Sequence, residues 1–107
     1  MRVYLSGPMS GLPKHNYPAF MLWAKRLRKA GYQVVNPAEL DDGTPLSWVQ
    51  CLKRDITKLL NCTGVATMPG WTKSKGASLE VHISKELDYS VHSAEHFIKN
   101  KKEYASN

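Results

Sequence analysis

The stretch Gly64-Val65-Ala66-Thr67-Met68-Pro69-Gly70-Trp71-Thr72-Lys73-Ser74-Lys75-Gly76 decides how this chain folds. Its first half is apolar and β-branched and runs into Pro69-Gly70, which reads as a short strand cut by a breaker. A loop of Gly, Lys and hydroxyl residues follows. Apolar residues at helical spacing then continue over about 76–87. Strand, loop and helix in that order make half of a βαβ unit, which needs a parallel neighbour to pair with.

The same unit recurs on either side. Residues 2–6 read as a strand closed by Ser6-Gly7-Pro8, and a loop continues through Lys14. Asn16 can cap a helix and Pro18 suits its first turn. Phe20, Trp23, Ala24, Leu27 and Ala30 then repeat at helical spacing until Gly31. Residues 32–36 form a second strand, stopped by Pro37. After the Asn36–Pro45 loop, Ser47 can cap a helix whose inward face carries Trp48, Leu52, Asp55, Ile56, Leu59 and Leu60. Residues 89–92 suit a fourth strand, and 94–104 a last helix, with a frayed end over 105–107. The order β-α-β-α-β-α-β-α predicts an α/β fold, a parallel sheet with helices on both faces. Ligands then bind beyond the carboxyl ends of the strands, where the strand order reverses. Ser6–Gly11 and Gly70–Gly76 leave at that edge, and Asn36–Pro45 can wall the pocket.

Composition narrows the function classes. The chain has 107 residues, suiting one domain over 1–107, and 42% are apolar, enough for one core. No stretch approaches the ~20 apolar residues of a membrane span. Met1–Leu5 has neither a long apolar run nor a small-residue cleavage site, and reads as the first strand of a cytoplasmic protein. Cys51 and Cys62 lie eleven residues apart. On one helix that is about 16 Å along the axis, too far for a disulfide, so both are expected as reduced thiols. The formal charge is +6, part of it in Lys25, Arg26, Arg28 and Lys29 and part in Lys99, Lys101 and Lys102. Such stripes attract anions or are simply solvated helix faces. No interleaved aromatic–basic surface accompanies them, which argues against a nucleic-acid partner. The four histidines show no spacing with acids or cysteines that would build a metal site, so no metal is expected.

Several residues carry chemistry. Asp55 falls on or beside an apolar helix face, where a carboxylate must be paired or working. Arg54, Lys58 or a loop backbone could pair it. Glu80 lies in the first turns of the third helix, where the positive helix end should keep its pKa low and suit it to act as a nucleophile; a surface Glu is the plainer reading. Ser74 is an N-cap by default, and could also hold a phosphate together with backbone N–H groups. Gly76 would let a ligand approach closely. Tyr4 is a core aromatic or points into the pocket. Trp48 is expected in the core by its register, and Trp71 as a wall or lid of the pocket. Neither GxGxxG nor GxxxxGK[ST] is present, so Ser6-Gly7-Pro8-Met9-Ser10-Gly11 is no dinucleotide or P-loop signature.

Taken together, "MRVYLSGPMSG" (1–11), "NYPAF" (16–20), "NPAEL" (36–40), "LKRDITKLLNC" (52–62) and "MPGWTKSKGASLEV" (68–81) resemble a family of small uncharacterised proteins of phages and prophages. That family looks like a compact branch of the nucleoside 2-deoxyribosyltransferase-like superfamily, which includes 2'-deoxynucleoside 5'-phosphate N-hydrolases. The resemblance covers roughly residues 1–88. It implies a flavodoxin-like or Rossmann-like three-layer sandwich with four to five parallel strands. It implies N-glycosidic cleavage or base exchange by a glutamate nucleophile, with no cofactor or metal. By the Ser-x-Gly-x-x-x-Glu segment, the nucleophile falls on Glu80 and the phosphate-binding serine on Ser74. The helix-borne aspartate, which protonates the base or places the sugar, falls on Asp55. The first strand–loop contributes Tyr4, Ser6, Gly7 and Ser10. The implied partners are a nucleoside or nucleotide and further copies of the chain, in the cytoplasm (the host's, for a phage protein). Trp71 and Tyr89 are the apolar groups that would suit the contact between copies. A non-catalytic module that sequesters a nucleotide-like metabolite or signal is the alternative use of the same pocket.

Overall fold

The hydrophobic pattern resolves into a four-stranded, all-parallel sheet with helices on both faces. A computed structural model describes residues 1–105. The strands are β1 (Arg2–Ser6), β2 (Gln33–Val35), β3 (Gly64–Thr67) and β4 (Ser90–Ser93). Their order in the sheet is β2-β1-β3-β4. The helices are α1 (Tyr17–Lys29), α2 (Trp48–Leu59), α3 (Lys75–Glu86), α4 (Ala94–Lys99) and α5 (Lys101–Tyr104). The result is an α/β three-layer sandwich of the flavodoxin-like kind.

Period-two alternation divides β1 between the two faces. Val3 and Leu5 join Phe20, Ala24, Leu27 and Phe97 beneath α1 and α4. Tyr4 turns the other way, to Leu59, Val65 and Val81 beneath α2 and α3. β1 pairs with β2 on one side and β3 on the other, with Tyr4 opposite both Val35 and Val65. The chain leaves β1 toward β2 and leaves β3 toward β4, so the strand order reverses between β1 and β3, where a crevice opens.

Local details depart from the expectations at a few points. Asn16 does not cap α1 with its side chain. It adopts a left-handed conformation and its Nδ2 donates to the Pro8 carbonyl at 2.9 Å, tying the helix start to the first loop. Ser47 caps α2 through a capping box with Gln50, which satisfies two orphan N–H groups. Trp48 and Leu60, expected inward, are 43% and 55% exposed. Trp48 starts the helix, beyond the edge of the sheet, and Leu60 lies past its last turn. The expected last helix breaks at Asn100, whose side chain bonds back to the His96 carbonyl at 2.9 Å. The Ala105 N–H still bonds the Lys101 carbonyl at 2.8 Å. Positions 106 and 107 of the expected frayed end lie outside the described residues. No described helix is long and apolar enough to cross a membrane.

Candidate active site

β1 delivers two hydroxyls to one carboxylate. Tyr4 and Ser6 project from the same face of the strand, and α3 lays Glu80 across them. The Tyr4 hydroxyl donates to Glu80 Oε2 at 2.8 Å, and the Ser6 hydroxyl to Oε1 at 2.8 Å. Glu80 is only 6% exposed, Tyr4 fully buried and Ser6 nearly so. The capping serine of α3 is Ser74, whose Oγ accepts from the Ala77 N–H at 3.2 Å. That cap uses one lone pair and leaves the O–H to be donated elsewhere.

The expected low pKa of Glu80 is reversed. Burial disfavours the charged form and, with the nearby Asp55 carboxylate, pushes the carboxyl up to about 7; the two hydroxyls only partly oppose this. Glu80 stands beyond the first turn of α3, past the short reach of the helix end. The same surroundings drive the Tyr4 phenol well above its ordinary range.

Asp55 projects from α2 and is 9% exposed. Arg54 Nε donates to its Oδ1 at 2.9 Å, so the Arg54 pairing anticipated from sequence is realised. Burial raises the Asp55 carboxyl above its ordinary value, and Arg54 opposes that rise. Arg54 also reaches the Leu40 carbonyl at 3.4 Å, which ties α2 to the loop after β2.

These groups line one open cavity of about 710 Å³ at the carboxyl edge of β1, walled by the loops that follow β1, β2 and β3 and by α2 and α3. Of the residues singled out in the sequence, Tyr4, Gly7, Ser10, Asp55, Ser74, Gly76 and Glu80 line it. Ser6 lies behind them and acts through Glu80. Gly7 is required by packing: a Cβ there would meet Met68 Cβ at 2.8 Å. At Gly76 a Cβ would meet nothing within 4 Å, so packing does not explain a glycine early in a helix.

The two tryptophans exchange their expected places. Trp71 does not line this cavity; it packs against the Tyr4–Leu59–Val81 cluster and borders a smaller hollow of about 270 Å³. Trp48 stands on the rim instead, with Lys75 Nζ 4.8 Å from its ring centroid. Its register pointed inward, and only the packing of α2 shows that this first turn overhangs the crevice. Lys73 and Lys75, read from sequence as possible positive charge beside Ser74, line the cavity too, as do Arg54, His15, Tyr17 and Asp41, which were not assigned to it. Arg54 was legible as the neighbour of Asp55. The others lie in loops or at helix starts without periodicity, where sequence carries no directional signal.

The chain belongs to the family described as "Domain of unknown function (DUF4406)". The family model matches residues 1–93. No curated protein matches the chain. The DUF4406 span takes in all four strands and every residue that lines the cavity. The basic residues of the DUF4406 α1 are partly spent internally. Arg28 forms a forked pair with Glu39 at 2.6 and 2.8 Å, and Arg26 stacks on Trp23 at 4.4 Å. Cys62 is buried, which pushes its thiol up to about 11, and Cys51 is half-buried; both are free. Among the described residues, no group of three His, Cys, Asp or Glu side chains could hold a metal ion.

Proposed function

We propose that this chain cleaves the N-glycosidic bond of a nucleoside or deoxynucleotide, or exchanges its base, with Glu80 as the nucleophile. The observation that carries this reading is the Glu80 carboxylate, buried at the back of the cavity with each oxygen held by one hydroxyl. A departing base leaves an oxocarbenium-like sugar, which a fixed carboxylate can trap. The Glu80 oxygen forms a bond to C1' as the C1'–N bond breaks, and its electron pair leaves with the base. Water, or a second base, then displaces the glutamate.

Asp55 suits the sugar end. Arg54 engages Oδ1, and no described hydrogen bond reaches Oδ2, so that oxygen is available to a sugar hydroxyl. Ser74, Gly76, Lys73 and Lys75 bring a hydroxyl, open space and positive charge to one wall, which suits a 5'-phosphate. No step needs a cofactor or metal. The proposal includes a cytoplasmic location, that of the host for a phage-encoded chain. It also includes self-association through the exposed Val49, Leu60 and Leu79 of the α2/α3 layer. Trp71 and Tyr89, the other apolar groups proposed for that contact, are half-buried, and the Tyr89 hydroxyl is bonded to the Leu59 and Leu60 carbonyls.

A second reading is a binding module that holds a nucleotide-like metabolite or signal without turnover. The raised titration of Glu80 favours it, because a protonated carboxyl binds by donating a hydrogen bond and does not attack. One experiment separates the two. The protein is incubated at pH 8 with a panel of nucleosides and 5'-nucleotides, and free base is measured by chromatography. Catalysis predicts base release by the wild type and none by Glu80→Gln. Intact ligand recovered from every incubation overturns it.

A further inference from the structure

Among the described residues, the one run of consecutive non-glycine residues at positive φ lies at the mouth of the cavity. Lys14 (φ 53°, ψ 31°), His15 (φ 53°, ψ 26°) and Asn16 (φ 59°, ψ 18°) form a left-handed turn with no glycine in it. L-residues visit that region singly and at a cost; three in succession persist only where the surroundings hold them. Here the Asn16 amide is fastened to the Pro8 carbonyl at 2.9 Å, and the His15 N–H bonds the Leu12 carbonyl at 3.0 Å. The turn carries an exposed imidazole to the cavity that Glu80 closes from behind. The His15 ring leans on Tyr17, centroids 5.6 Å apart, and the Tyr17 hydroxyl donates to Asp41 Oδ2 at 2.8 Å.

Glycosidic cleavage requires a proton for the departing base, and the phenols and carboxyls of the cavity are committed elsewhere. The Tyr4 hydrogen is bonded to Glu80 and the Tyr17 hydrogen to Asp41. The Tyr17 phenol is pushed up to about 12, and Asp41 is held below the usual carboxylate range by the Gly43 N–H and by Tyr17. Asp55 accepts from Arg54 and would lose that ion pair on protonation. Glu80 has to be ionised to attack. An imidazole is the usual side chain for passing a proton near neutrality.

We infer that His15, carried on the left-handed turn 14–16, is the proton donor to the leaving base. This rests on the glycosidic reading of Glu80. In the first step the C1'–N electron pair moves onto the base, a ring nitrogen takes the proton of the His15 imidazolium, and Glu80 bonds to C1'. In the second step water attacks C1', its proton passes to the neutral imidazole, and the glutamate leaves as a carboxylate. The sum is one nucleoside and one water giving one sugar and one base.

The test compares two leaving groups on the same sugar, a natural base and 4-nitrophenol, whose anion departs without a proton. Asn tolerates the left-handed region and Gly adopts it freely, so His15→Asn and His15→Gly preserve the turn. Both should lower kcat/KM about 10²–10³-fold on the natural base and leave kcat/KM of the 4-nitrophenyl glycoside within about threefold, because that ratio reports only the step in which the leaving group departs. Glu80→Gln should be inactive on both. Equal losses, or none, in the His15 variants would overturn the role while leaving Glu80 in place. The selective loss appearing in Asp55→Asn instead would also overturn it. Should the wild type refuse the nitrophenyl glycoside, the contrast is read from nucleosides with bases of graded acidity, on which the His15 variants should recover as the base becomes more acidic. A wild type that releases neither base nor nitrophenolate removes the glycosidic reading and this inference with it.

Discussion

The layer of α1 and α4 and the layer of α2 and α3 cover the same four strands, yet the first is nearly sealed, with only the hollow of about 270 Å³ at its rim, while the second opens onto the large cavity. Beneath α1 and α4, Val3, Leu5, Phe20, Leu27 and Phe97 are all at or near zero exposure. Beneath α2 and α3 the apolar cluster is smaller, and two carboxylates, Glu80 and Asp55, are buried beside it. One layer supplies stability by removing apolar surface from water. The other gives some of that up to hold charge at a sheet edge, where an open cavity can use it. The difference is written into β1, whose alternate residues are Val3 and Leu5 on one side and Tyr4 and Ser6 on the other.

The largest expected effect lies in the open layer. Glu80→Gln should lower turnover of any accepted substrate by about 10⁴-fold or more, the scale for a lost nucleophile. A variant that retains a tenth of wild-type activity would break the assignment of chemistry to this layer. The sealed layer should answer in stability instead. Phe97→Ala, at zero exposure, should cost about 3–5 kcal/mol in urea unfolding. A cost under 1 kcal/mol would mean that α4 contributes little to the core.

The third prediction tests the strain of burying charge. Glu80 titrates near 7 in the fold, above its ordinary 4.5, so the native state binds the proton more tightly than the unfolded chain. Its favourable contribution is fully present below about 4.5 and is lost as pH rises through about 7. Relative to Glu80→Gln, the wild type should therefore lose on the order of 3 kcal/mol between pH 4.5 and 8.5. Urea curves for both proteins at the two pH values measure it, and parallel pH dependences would contradict the burial argument. The smallest effect is at Gly76. Gly76→Ala should raise stability by a few tenths to about 1 kcal/mol, since a Cβ there meets nothing, and under the proposed function should weaken nucleotide binding. Unchanged affinity in calorimetry would return Gly76 to the scaffold.

Much of the fold was legible because it depends on patterns that are local in the chain. Breakers after residues 6, 36 and 68, and apolar residues at helical spacing between them, suffice to order strands and helices. The misjudged positions lie where an element ends. The register of α2 pointed Trp48 inward, but its first turn extends past the sheet edge, so no layer lies beneath it. Trp71, in a loop rich in small polar residues, folds back onto the apolar cluster beneath α2 and α3. Loop direction comes from tertiary contacts such as the Asn16–Pro8 bond, and these leave no periodic trace.

By itself the sequence determined the α/β order and placed Asp55 on or beside an apolar helix face, since spacing locates a residue on its element; Glu80, whose spacing read as a surface position, was assigned to the site only through the family resemblance. Only the tertiary structure decided how those acids ionise and which loop residues join them. Glu80 owes its titration near neutrality to the removal of water by β1, α2 and α3 together, and that field exists only once the layers have closed. His15 comes to the cavity on three residues in a conformation that their own chemistry disfavours, fastened within the first loop by the Pro8 carbonyl.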